Sequence, residues 1–232
     1  MTTTRPGVTT PPDTLEPDPG AITGLFTGLT FVAAIVGATK LAKGPIPRPG
    51  APAAAIREYY HHSAPAVRFS VAGQAISILS LARFTGTVAR LAARATPESR
   101  LLPATAVISG AASVASLATS AATHALLTIP RDRDDETMIK LARRMFVAGG
   151  PVQGVAYGIF TAVLATTARR TGLVGRAAAT TGLVSAATGI LSLLYFRWEN
   201  AGWLIPIGRF SGYMLAGMTG VRLAGARRSR PA

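Results

Sequence analysis

From residue 101 to residue 130 the chain runs for 30 residues without a Lys, Arg, Asp or Glu, and His124 is the one ionisable side chain in the run. A helix of about 20 predominantly apolar residues crosses the roughly 30 Å hydrocarbon core of a bilayer. Inside lipid every backbone N–H and C=O has to be paired within the segment, so a run of this kind is restricted to helix. The feature recurs: residues 21–39, 145–168 and 177–196 are also free of charge, and residues 202–221 carry only Arg209. The sequence therefore predicts an all-α fold, a polytopic integral membrane helical bundle. Residues 1–20, rich in Thr, Pro and acids, form an unstructured tail, 21–222 the bundle, and 223–232 a basic C-terminal tail. The acidic, Pro-rich stretch before Ala21 lacks the basic n-region of a secretory signal, so the first apolar run is expected to stay as a helix.

Composition narrows the architecture. Only 15% of residues are charged, against roughly 25% in an average soluble domain. Aromatic residues make up 6%, and Ala, Gly, Ser and Thr supply much of the rest, which favours close helix packing through small residues. Three Gly-x-x-x-Gly spacings fall inside apolar runs: Gly24 with Gly28, Gly154 with Gly158, and Gly208 with Gly212. These are expected to be helix-packing positions. The net charge of +14 raises nucleic acid as a partner, but its distribution argues otherwise. Lys40 and Lys43, Arg169 and Arg170, and Arg222, Arg227, Arg228 and Arg230 flank the apolar runs. That is where bases meet anionic headgroups, so the expected partner is an anionic bilayer and nucleic acid is excluded. With no cysteine, disulfides, thiolate catalysis and Cys-ligated metals are excluded as well.

One charged stretch, residues 131–144, divides the chain and holds four of its ten acids. Asp132 or Asp134 as N-cap, acids in the first turn and Lys140, Arg143 and Arg144 in the last predict a short helix ordered by its own dipole. Residues 40–63, with four prolines, are expected to be a loop ending in Arg57-Glu58-Tyr59-Tyr60-His61-His62.

The number of spans turns on residues 64–91, where only 14 residues separate Arg68 from Arg83. Apolar residues all round the helix between them favour a buried span, giving six transmembrane helices. The alternative is five spans plus one interfacial helix, because the arginines share one arc. The positive-inside rule divides Lys and Arg evenly for six spans and places two thirds of them on one face for five. Arg68-Phe69-Ser70 and Arg209-Phe210-Ser211 open two of these stretches alike, which supports the six-span reading.

Polar side chains inside apolar runs are functional candidates by default. Arg209, Gln153, Gln74, His124 and Arg68 are the ligand or pathway candidates, expected to gather with Glu58 and Glu199 on one polar face capped by the central charged helix. Arg209 is expected to snorkel or pair with Glu199, with anion binding as the alternative; Gln74 and Gln153 are expected to bond between helices. His61, His62 and His124 are the only metal candidates, and no His-x-x-x-His or Glu-x-x-His spacing supports them. No cofactor is predicted. Paired carboxylates, a phosphate-cradling glycine loop and Gly-x-Ser-x-Gly are all missing, so no catalytic residues are assigned.

The leading expectation is a bacterial-type inner-membrane protein that acts by helix–helix binding, a packing or assembly subunit with a membrane-protein partner or a second copy of itself. A carrier or channel for a small solute or lipid, with a polar path near Arg209, Gln153 and His124, is the alternative. An enzyme built on the three histidines is a third.

Overall fold

The computed structural model describes residues 18–129 and 133–226. Among them the chain is all helix: α1 (Thr23–Leu41), α2 (Ala53–His62), α3 (Ala64–Ala95), α4 (Leu101–Leu127), α5 (Asp135–Val147), α6 (Gln153–Arg170), α7 (Arg176–Leu191) and α8 (Leu204–Gly225). Five helices are long and apolar enough to cross a membrane: α1, α3, α4, the continuous run Asp135–Arg170, and Arg176–Phe196. The chain is thus a multi-pass membrane type of bundle. α3, the segment of disputed character in the sequence, is one of the five. α8 is long enough at 22 residues, but Arg209 and its glycines lower its mean hydropathy.

Six of these helices close a ring. α1 packs on α3, α3 on α4, α4 on α6, α6 on α7, α7 on α8, and α8 returns to α1. The connections at 96–100 and 171–175 are short, as expected for antiparallel neighbours. The main core runs through the middle of the ring, with Leu81, Phe84, Val88, Leu117, Phe160, Leu164 and Leu215 all buried. Phe84 and Phe160 meet edge to face at 6.2 Å between centroids.

The helices come close because their contact faces are small. A Cβ on Gly24 would lie 2.6 Å from the Ala216 carbonyl oxygen of α8, and one on Gly28 would lie 2.8 Å from the Tyr213 Cβ. Gly154 and Gly158 of α6 and Gly208 of α8 all face Gly189 of α7, so three backbones touch at one node. Gly212 fits against Tyr157 and Thr161 of α6. Hydroxyls stitch the same node: Ser185 donates to the Gly208 carbonyl at 2.6 Å and Ser192 to the Gly189 carbonyl at 2.6 Å.

α2 and α5 lie together across one end of the ring. Ile56 and Tyr60 of α2 bury against Val67, Leu127 and Met138 in a second apolar cluster. Arg57 pairs with Asp135 at 2.6 Å and donates to the Arg133 carbonyl. The 40–63 region is therefore not all loop: its second half, released by Pro52, is the ten-residue α2. Asp134 caps α5, accepting from the Thr137 N–H at 2.6 Å, and the other cap candidate, Asp132, lies outside the described residues; that bond holds the Asp134 carboxyl below the usual carboxylate range. Nor is the charged helix a separate short element. It continues through a π turn, Ala148–Val152, straight into α6.

Candidate functional site

The π turn is where the interior polar centre is built. Pro151 has no N–H to give to the preceding turn and its ring needs room there, so the helical ladder widens locally. Gln153 then donates its backbone N–H to the Ala148 and Gly150 carbonyls, not to that of Gly149. The Gly149 carbonyl instead accepts from Arg209 Nη2, which reaches it from α8. The same Nη2 donates to Gln153 Oε1 at 2.6 Å, and Gln153 Nε2 donates to Ser113 Oγ on α4 at 3.1 Å. Gln153 has no exposed surface. One side chain thus joins α4, α6 and α8 through bonds to a cation and a hydroxyl.

Arg209 is oriented inward. Its guanidinium lies over the Phe31 ring of α1, 5.1 Å from the centroid, a favourable placement for a cation away from water. At 1.5 Å per residue it lies about 20 Å along α8 from Arg222. It does not pair with Glu199, and among the described residues no carboxylate comes within ion-pair distance of it. Its Nε is buried with no hydrogen-bond partner. Two more donors share that condition beside it: the hydroxyls of Tyr157 and Tyr213, whose rings are 5.1 Å apart. Tyr213 also tilts against Phe31 at 5.6 Å. Ser77 and Thr161 stand beside these phenols; their hydroxyls donate to the carbonyls of Thr27 and Tyr157 and keep lone pairs as the nearest acceptors for the phenol protons. The centre is a half-buried cation whose Nε is buried without an acceptor, with no anionic group of the described chain to balance it.

The other candidates do not join it. His124 is buried in a different cluster, its ring edge-on to Tyr60 at 5.7 Å, and its Nε2 has no partner among the described residues. Along α4 it lies about 16 Å from Ser113. Tyr60 in turn donates to the Met145 sulfur at 3.3 Å. Gln74 bonds to Ser70 of its own helix at 3.0 Å, not across helices, and Arg68 is exposed. His61 and His62 are exposed neighbours with rings 4.9 Å apart. Among the described residues no group of three or more His, Asp or Glu is placed to hold a metal. The six glycines of the Gly-x-x-x-Gly pairs all lie at helix contacts within the chain.

Sequence reasoning placed Arg209 and Gln153 in one polar group, together with His124, Gln74 and Arg68, which do not join it, and it missed Ser113, Tyr157, Tyr213 and Gly189. Pro151, six residues after the start of the uncharged run at Met145, was the available signal for a widened turn. No protein-family model, curated protein or solved structure matches this chain, so the Arg209 centre is characterised by its own geometry alone.

Proposed function

We propose that the protein is a multi-pass protein of a bacterial-type inner membrane that binds a small anion at the Arg209 centre and carries it across the bilayer. The observation that supports this reading is the unbalanced cation: a guanidinium among α1, α6 and α8 whose buried Nε lacks an acceptor and which has no carboxylate of the described residues in range. Burying an unpaired charge is costly, and an incoming anion would supply the missing acceptor and the missing charge together. A π turn beside the site fits the same reading, since such turns are frequent at functional positions.

An assembly subunit would have to use another surface, because the glycine pairs expected to receive a partner helix are filled by α1, α6, α7 and α8 of the same chain. Purified protein reconstituted into vesicles separates the readings. Uptake of chloride, nitrate, acetate and inorganic phosphate is followed in turn, and at least one is expected to move faster than in protein-free vesicles. Arg209→Gln abolishes that flux, and Tyr213→Phe reduces it. Flux of none of the four anions, or equal flux in the Arg209→Gln protein, overturns the proposal.

A further inference from the structure

At the end of the ring where α2 lies, residues 43–63 enclose a cavity of about 810 Å³, within the size range of small-molecule sites. Its walls are made by the loop after α1 and by α2. Lys43, Arg48 and His62 bring basic groups to it, Glu58 a single acid, and Tyr59 an aromatic face. The loop is fixed at its start, where the Lys43 N–H donates to Ser63 Oγ at 3.1 Å. It is stiffened along its length by Pro45, Pro47 and Pro49, each with its φ locked by the ring. Ile46, Pro47 and Arg48 also border a second, apolar cavity of about 200 Å³ against Tyr60, Met145 and Phe146. The loop therefore places a cationic compartment and an apolar one on either hand of the same three residues.

The position of this cavity selects its ligand. α1 ends at Leu41 and α3 begins at Ala64, and both are long and apolar enough to cross a membrane. The segment that links their ends lies at the depth where an apolar helix meets the headgroups, and lysine or arginine at that depth attracts anionic lipid. We infer that the Lys43–Arg48 cavity is a binding site for a phosphate-bearing group, supplied by the headgroup of an anionic phospholipid or by free phosphate. Lys43 and Arg48 neutralise the phosphate, and Glu58 stands opposite as an acceptor for a headgroup hydroxyl. The site is separate from the Arg209 centre in both place and residues, so each stands or falls alone.

The test uses the full chain in a neutral detergent. Binding of dihexanoyl phosphatidylglycerol, dihexanoyl phosphatidylcholine and inorganic phosphate is measured by calorimetry. Two exposed cations opposed by one acid correspond to about a tenfold preference for the anionic lipid over the zwitterionic one. Lys43→Ala/Arg48→Ala should abolish that preference without changing the melting temperature; Lys43→Arg/Arg48→Lys should keep it, and Arg197→Ala, an exposed cation outside the cavity, should leave it unchanged. Phosphatidylglycerol binding without phosphate binding assigns the site to lipid. Phosphate binding lost in the double alanine protein assigns it to free phosphate. Binding of neither probe, or a preference that persists in the double alanine protein, overturns the inference.

Discussion

The Gln153–Arg209 pair offers a quantitative test of the interior centre by a double-mutant cycle. Gln153→Leu removes two bonds, one from the Arg209 guanidinium at 2.6 Å and one to Ser113 at 3.1 Å. A bond to a charged group contributes about 1.5–3 kcal/mol, and a neutral interhelical bond in lipid about 0.6 kcal/mol. The single variant should therefore lose about 2–4 kcal/mol, because it also leaves a buried cation short of an acceptor. Arg209→Met removes that bond together with the one to the Gly149 carbonyl and the placement over Phe31, but takes the charge with it. With the cation gone, a further Gln153→Leu forfeits only the Ser113 bond. The two single costs should then exceed the double by about 1.5–3 kcal/mol. Unfolding by detergent titration in mixed micelles, followed by far-ultraviolet circular dichroism, measures all four proteins. Costs that add to within about 0.5 kcal/mol would refute the assignment of Gln153 as the acceptor that makes Arg209 tolerable inside the bundle.

The three-helix node should be intolerant of added volume. A Cβ at Gly208 would lie 2.7 Å from the Gly189 nitrogen, so Gly208→Ala should cost about 1–3 kcal/mol in the same unfolding assay, and Gly208→Val should prevent accumulation of folded protein. At the start of the chain, burial raises the Asp18 carboxyl, but the bonds from Arg90 (2.9 Å at Nε) and from the Gly20 N–H outweigh it, leaving the carboxyl below its ordinary value of 3.8. A lowered folded value means the contribution is present above the ordinary value and fades as pH falls through the folded one. Asp18→Asn should lower the melting temperature at neutral pH, and that difference from the parent should vanish in acid. Topology is open to direct labelling, since the chain has no cysteine of its own. Arg48→Cys and Arg170→Cys should react with an impermeant reagent from opposite faces if α3 spans; labelling from one face would return it to the surface.

The helices were legible because lipid leaves few ways to arrange charge. The uncharged runs mark α1, α4 and α7 to within about five residues, the run at 145–168 takes in the end of α5, the π turn and most of α6, and the acids and bases of 131–144 foretell the cap and polarity of α5. α2 was obscured by the prolines around it, since a ten-residue amphipathic helix anchored by Ile56 and Tyr60 gives little periodic signal. The union of α5 with α6 was hidden by Pro151, which on its own reads as a break. Within the centre, Arg209 and Gln153 stood out as costly residues, yet the second acceptor of Arg209 is the Gly149 carbonyl, freed by a change of ladder, and a carbonyl has no letter in a sequence. Tyr157 and Tyr213 resemble any interfacial aromatic until the helices that bring their rings together are known. Gly189 belongs to no Gly-x-x-x-Gly spacing, and it becomes the meeting point only once three helices converge.

The closure of the ring by α8 on α1 has a consequence for how the chain is made. Every other interface in the ring joins helices that follow one another closely, so they can form hairpin by hairpin as synthesis proceeds, with little loop entropy to overcome. The last joint waits for residues after 204, when the earlier helices are already in lipid. Until then the Gly149 carbonyl has no guanidinium, Gly189 has no α8 backbone against it, and the face of α1 around Gly28 and Phe31 is open to lipid or to chaperones of insertion. The cation that the interior is shaped to hold arrives last, so a ribosome stalled before α8 leaves an open horseshoe in place of a bundle.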